Sequence, residues 1–297
     1  MLWWVFRTVP LARVWQALQS AGPAAVLGVT AAYFVYTFAA DACATWATFG
    51  WFCAKLKLWD VITIRGVTYL LALLNYNVGQ GGIVYFVVKK HGVGAARATG
   101  TILLTMGVLL VELLLLAGIG SMVADAGDLR LAVMQKITTA GLLAFALYLV
   151  LIRLAPPALA RRPMLEPLFD GGVGGHLKAL LVRVPHVAGH IFFQWILLRM
   201  FGVAVPFSAA ATLLPVLFVV GWIPIAVQGL GTQQVAAIAL LAGYATGTNA
   251  EERAAKVLAF SLTMAALLLC FSAVTGLVFL GTRNTREIRA ARASDTS

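Results

Sequence analysis

Inside an otherwise apolar chain, the side chains that could do chemistry are Glu112 and a run of four on one later segment: Arg183, His186, His190 and Gln194. The four recur at intervals of three and four, so a helix would carry them as one polar stripe. His186 and His190 stand as an i, i+4 pair that could share a metal. No glutamate follows the first histidine as in zincins, and no third ligand is evident nearby, so a lumen-facing or interfacial polar stripe is the expectation and no metal site is predicted. Glu112 sits within VELLLL, where an ionised acid costs about 2.5–3.5 kcal/mol on insertion scales. It must therefore face a cavity or a basic partner, for which Arg65 is one candidate, or stay neutral and hydrogen-bonded to a neighbouring helix. Nucleophile elbows, phosphate-binding loops and paired acidic metal motifs are absent from the sequence, so it predicts neither an enzyme nor a cofactor.

Two interrupted segments could gather such groups. Trp222–Gln234, reading WIPIAVQGLGTQQ, sets Pro224, Gly229 and Gly231 in an apolar context. Proline in a helix interior costs about 3 kcal/mol, and lipid solvates no free N–H or C=O. A broken backbone at membrane depth must be buried in protein or line a wet cavity, unless the break is only a packing kink. A helix restarting at Thr232 aims unpaired amides and a positive dipole end at whatever fills that cavity, which suits an anionic group. The earlier counterpart is NYNVGQGGIVYFVVKK, from Asn75 to Lys90, where Asn75, Asn77, Gly79, Gln80, Gly81 and Gly82 interrupt an apolar stretch. The candidate lipid-binding residues are accordingly Asn75, Asn77, Gln80, Lys89, Lys90, Glu112, Gln228, Gly229, Gly231, Thr232, Gln233 and Gln234.

Composition sets the solvent. Of 297 residues, 61% are hydrophobic and 11% charged, with mean hydropathy +0.92, which is outside the range of soluble domains. An all-α polytopic membrane protein is expected. Its net charge of +11 and pI near 10.0 would suggest nucleic acid in a soluble chain, but the basic residues lie between and beyond the apolar spans. Positive loops facing anionic lipid explain them better, so membrane lipids are the expected partners, nucleic acid is not, and a homo-oligomer is compatible. Cys43, Cys53 and Cys270 show no Cys-x-x-Cys spacing and imply no disulfide framework or zinc site.

The elements follow in order. Residues 1–22 read as an interfacial amphipathic helix, with a cleavable signal peptide as the rival. Residues 23–282 read as one transmembrane domain, with halves 23–154 and 176–282 joined by the Pro-, Gly- and Arg-bearing linker 155–175, and 283–297 as a disordered basic tail. Pro23 to about Trp51 is the first span, Val61–Val88 the interrupted one, and Thr99–Met122 and Leu131–Leu154 a hairpin across the acidic turn Asp125–Asp128. In the second half, Pro185–Phe201 is a short span, followed by Ser208–Val227, the restart Thr232–Tyr244, and Ala254–Gly281. Each half thus holds full spans plus one broken segment, a pattern that points to a binding site at a repeat interface. If the broken segments cross, there are about eight spans; if they are re-entrant, about six, and the halves become inverted repeats.

At Gly229-Leu230-Gly231, after Pro224, the chain resembles the lysylphosphatidylglycerol synthase transmembrane family, also called the flippase-like membrane domain family. Gln234 stands where that family carries a glutamate, Asn75–Lys90 echoes an earlier signature without its proline and glutamate, and Trp46 and Glu112 fall where the family tends to carry Trp and an acidic residue. The resemblance favours the re-entrant arrangement. It implies a multi-pass protein of the bacterial inner membrane that moves or binds lipids with polar or charged heads. The soluble domain that carries the family's synthase activity has no counterpart here. On this reading Lys89, Lys90 and the Thr232 helix start draw the head into a midplane cavity while the tails stay in lipid. The alternatives are a membrane-embedded lipid-modifying enzyme and a non-catalytic scaffold.

Overall fold

A computed structural model describes residues 10–123, 129–154, 156–222 and 230–294, without side chains at 129–130, 157, 222 and 283–294. The chain runs through α1 (Leu11–Ser20), α2 (Pro23–Phe52), α3 (Leu58–Ala72), α4 (Tyr76–His91), α5 (Ala95–Val123) and α6 (Leu129–Leu154). It continues through two short helices, α7 (Pro157–Ala160) and α8 (Glu166–Asp170), then α9 (Gly172–Met200), α10 (Phe207–Trp222), α11 (Thr232–Leu241), a 3-10 turn at Ala242–Tyr244, and α12 (Ala250–Ser294). Residues 1–9 of the expected amphipathic helix, the turn Asp125–Asp128, and Pro224, Gln228 and Gly229 lie outside the described residues. Among the described residues, five helices are long and apolar enough to cross a bilayer: α2, α5, α6 from Leu131, α9, and α12 as far as Thr282. The protein is all-α and multi-pass.

Lipid forces each span to satisfy its own backbone, and α2 shows how its polar side chains do the same. Thr30, Thr37 and Thr48 donate to the carbonyls of Val26, Tyr33 and Ala44 at 2.7–2.8 Å, so hydroxyls are buried without water. Its buried positions, Val26, Thr30, Tyr33, Thr37, Asp41, Thr45 and Thr48, recur every three or four residues and form one face. That face packs on α9, where a Cβ at Gly189 would stand 2.1 Å from the Tyr36 ring. The α3–α12 contact is as close: Gly66 meets Phe279 and Gly276 meets Leu70. Without a hydrophobic force between helices in lipid, such small residues let dispersion contacts form.

Two antiparallel helical hairpins flank this framework. In the first, Asp60 near the start of α3 accepts from Lys90 near the end of α4 at 2.7 Å, and His91 lies 3.7 Å from its other oxygen. The break is confined to residues 73–75, with the Asn75 side chain accepting from the Asn77 N–H at 2.8 Å as an N-cap. Gly79, Gln80, Gly81 and Gly82, expected to lie in the interruption, belong to α4. Gly79 and Gly82 are small because α3 presses on them: a Cβ there would meet Ala72 at 2.8 Å and Leu71 at 2.5 Å. In the second hairpin, α10 and α11 are joined where Gln233 Nε2 donates to the Leu217 carbonyl at 3.2 Å. Its open end is tied by backbone: Val203 bridges Ala245, the Ala204 N–H donates to Tyr244 and the Thr246 N–H to Gly202.

Three expected boundaries are corrected. The short span at Pro185–Phe201 is the second half of α9, which starts at Gly172 and passes through Pro185, a residue that membrane helices tolerate. The linker 155–175 is largely helical, and Arg97 of α5 holds it through Glu166 at 3.1 Å and Asp170 at 3.7 Å. The last helix does not end at Gly281: its backbone stays helical to Ser294, through most of the tail expected to be disordered. At the other end, α1 packs on α12, with Ala17 buried and Arg13 paired to Glu251 at 3.2 Å.

Candidate functional site

Three helices meet at Asp41. It lies on the buried face of α2, and each of its oxygens takes a different arginine: Arg65 Nε of α3 donates to Oδ2 at 2.6 Å, reinforced by Arg65 Nη2, and Arg183 Nη2 of α9 donates to Oδ1 at 2.9 Å. All three are buried, with Arg183 only 3% exposed. Two guanidinium groups thus share one carboxylate, and Glu112 lies near enough for the Arg183 charge to act on it. Arg65 also lies over the Tyr69 ring, 5.3 Å from its centroid. Arg183 spends one nitrogen on Asp41; its Nε and Nη1 are buried with no hydrogen-bond partner among the described residues. Buried donors are nearly always paired, so these two are the exceptional atoms of the site.

The rest of the α9 stripe is engaged by α2. His186 Nδ1 lies 3.1 Å from the Thr37 carbonyl, and since a carbonyl only accepts, the proton is on Nδ1. Gln194 Nε2 donates to the Tyr33 oxygen at 3.3 Å, and the Tyr33 hydroxyl and His190 Nδ1 share a hydrogen bond of 2.5 Å in which either group can be the donor. The two histidine rings stand edge to face, 4.6 Å between centroids. Among the described residues no three His, Cys, Asp or Glu side chains converge as metal ligands would.

Two adjoining cavities open along this stripe. The first, about 240 Å³, is lined by Asp41, Arg65, Arg183 and His186, and by Tyr76, Gly79 and Gln80 of the first turns of α4. The second, about 230 Å³, is lined by Gln194, Gln233, Ser261 and the apolar faces of α10, α11 and α12, and holds no aspartate, glutamate, lysine or arginine. Tyr33, Tyr76, His190, Phe218, Leu268 and Ser272 line both. Each is smaller than the ~300–1,000 Å³ of a typical ligand pocket, and the pair together falls within that range. The positive end of α4 adds to the arginines' field in the first chamber.

The candidate residues named from sequence are distributed unevenly around these chambers. Gln80 lines the charged one and Gln233 the uncharged one. Asn75 caps α4, and Asn77 is exposed beside it. Gly231 precedes α11 at φ +94°, its N–H donating to Gln234 Oε1 at 2.5 Å, while Gln234 Nε2 reaches Ser261 at 3.2 Å. Thr232 opens α11 without lining either chamber. Lys89 and Lys90 lie at the far end of α4, Lys90 on Asp60 and Lys89 over the Tyr85 ring, and line neither chamber. Glu112 is buried between the turns whose Leu109 and Leu113 line the charged chamber, and neither of its oxygens has a hydrogen-bond partner. Arg65, its suggested partner, is taken by Asp41 instead. Asp41 escaped the sequence reading. An acidic residue within a membrane span was the signal that could have found it. Trp46 donates from Nε1 to the Leu56 carbonyl at 2.8 Å and so pins the turn after α2.

No family model, no curated protein and no solved structure matches the chain.

Proposed function

We propose that this chain is a flippase-like carrier or lipid-binding transporter of the bacterial inner membrane, which takes the anionic head group of a membrane lipid into the charged chamber while the tails stay in lipid. The observation that carries this reading is Arg183: a guanidinium 3% exposed, with Nε and Nη1 unspent, in a cavity whose one lining carboxylate is already shared with Arg65. Nε and Nη1 lie on opposite edges of the guanidinium, since Nη2 at Asp41 is the nitrogen on the Nε–H side, so each offers one charge-assisted hydrogen bond to an anionic oxygen. The two hairpins, α3–α4 and α10–α11, serve as re-entrant segments of the two halves, each presenting the start of its second helix to a chamber, as broken helices do at the midplane of secondary transporters. This supports kinship with the flippase-like family, to which the Gly-Leu-Gly motif is similar.

The test is Arg183→Gln, which keeps a donor for Asp41 and removes the charge. Native mass spectrometry of the purified chain with phosphatidic acid, together with fluorescent-lipid translocation in liposomes, should show binding and translocation at least tenfold below the parent, since a hydrogen bond to a charged group is worth about 1.5–3 kcal/mol. Parent-level binding by a monodisperse Arg183→Gln protein would sink the reading.

A further inference from the structure

We infer that Glu112 is a proton-binding group that couples anion capture at Arg183 to proton uptake, so that an anion and a proton occupy the protein together. This rests on the carrier reading above and names the ion that accompanies the cargo.

The register of α5 against α9 sets the two residues at one level. Val108, one turn before Glu112, shares an apolar cluster with Ala179, one turn before Arg183, while Leu113 and Leu116 share another with Val187, one turn after it. Glu112 and Arg183 are the polar residues of the turn between, 4% and 3% exposed, and the Arg183 charge acts on the Glu112 carboxyl. They do not bond each other: both carboxyl oxygens, and Arg183 Nε and Nη1, are without a hydrogen-bond partner among the described residues. An ionised Glu112 would gain by turning onto Arg183, so the open arrangement is that of the neutral acid.

Charge balance ties this acid to an anion. With Glu112 ionised, two arginines stand among two carboxylates, and an incoming anion must displace Glu112 from Arg183. With Glu112 protonated, one positive charge is in excess and an anion restores the balance. Burying an unpaired charge is costly, so the two balanced combinations are favoured: carboxylate without anion, and acid with anion. The neutral acid also has an O–H to donate, whereas a carboxylate only accepts and repels the ligand. One proton therefore passes from water to Glu112 as the anion enters and returns as it leaves. The other titratable groups on the helices around α5 are engaged elsewhere. Asp41 of α2 is held by its arginines, His186 and His190 of α9 by the Thr37 carbonyl and the Tyr33 hydroxyl. Tyr148 of α6 is bonded to His176, and Glu166 and Asp170 of α8 lie on Arg97. Tyr76 of α4 lines the chamber, and α10 carries no titratable or charged side chain.

The experiment follows the binding of fluorescent phosphatidylglycerol to the full-length protein in mild detergent from about pH 6 to about pH 9, with proton uptake read by an indicator dye in weak buffer. The phosphodiester keeps a single charge throughout, so the probe itself does not titrate. Affinity should be greatest at the acid end and fall by up to about tenfold per pH unit as Glu112 ionises, with up to about one proton taken up per lipid bound. Glu112→Gln, which mimics the neutral acid, should bind at every pH as the parent does at the acid end, about tenfold more tightly than the parent at the alkaline end, and take up no proton. Glu112→Leu, apolar like its neighbours Leu109 and Leu113, should likewise lose the pH dependence. Binding that ignores pH in the parent, binding without proton uptake, or a pH dependence that persists in both Glu112 variants and so belongs to another group such as His186, overturns the coupling and leaves the carrier reading standing. Proton uptake on adding sulfate, with no lipid bound at any pH, would uphold the coupling and sink the lipid as its cargo. Uptake with neither lipid nor sulfate overturns the coupling outright.

Discussion

The two hairpins bring the same element, the start of a second helix, to adjoining chambers of opposite character. In α3–α4 the helix start lies beside Asp41, Arg65 and Arg183, and the hairpin's open end is closed by side-chain charges, Asp60 with Lys90 and His91. In α10–α11 the helix start contributes a neutral amide, Gln233, and the open end is closed by backbone hydrogen bonds around Val203 and Ala245. The turns differ as well. Asn75 caps α4 in extended backbone at φ −167°, available to any residue, whereas Gly231 starts α11 at φ +94°, where side chains are strained. A helix start is thus a generic device, and the neighbouring helices decide whether it stands among charged or uncharged groups.

The largest effect is expected where the first hairpin is tightest. Gly79→Val would push a Cβ to 2.8 Å from Ala72 Cβ and 3.2 Å from its Cα, and overpacking of this kind costs about 3 kcal/mol. Loss of the monodisperse peak in size-exclusion chromatography, or a sharply lowered thermal midpoint, is the expected readout. A parent-like midpoint would mean that the α3–α4 contact is looser than the glycine implies. For the second hairpin the weak point is conformational, not steric. Gly231→Val forces a β-branched residue into a region side chains avoid, at about 2 kcal/mol, and should cut lipid translocation while the protein still inserts in the membrane. Translocation at the parent rate would reduce this break to packing.

The smallest effect separates the two closures. Asp60→Asn removes an ion pair with one exposed partner, worth about 0.5 kcal/mol, and makes the ends of α3 and α4 exchange amide hydrogens faster. High salt should do the same to the parent protein at residues 58–61 and 88–91 and leave 203–204 and 244–245 untouched, because screening acts on charges and not on backbone bonds. Hydrogen exchange at low and high salt checks this. Equal salt sensitivity at the two ends would erase the distinction.

Sequence alone determined where the chain crosses lipid and where it cannot remain one helix. Transfer of side chains to hydrocarbon is close to additive along a segment, and a helix satisfies its backbone locally, so α2, α5, α6 and most of α12 were legible from hydropathy, as was an interruption at Asn75. The glycines after Asn75 misled, since the same residue type serves a break or a close helix contact, and only the presence of α3 against Gly79 and Gly82 distinguishes them. The polar stripe Arg183, His186, His190, Gln194 was visible by its spacing, but what it faces was not. Asp41 meets Arg65 across 24 residues and Arg183 across 142, whereas Glu112 makes no hydrogen bond among the described residues. Which buried charges find one another, and which donors are left over for a ligand, is settled by the packing of α2, α3 and α9 at their small residues. The pairing energy of a charge depends on the distance and burial of its partner, and neither is a property of a local segment.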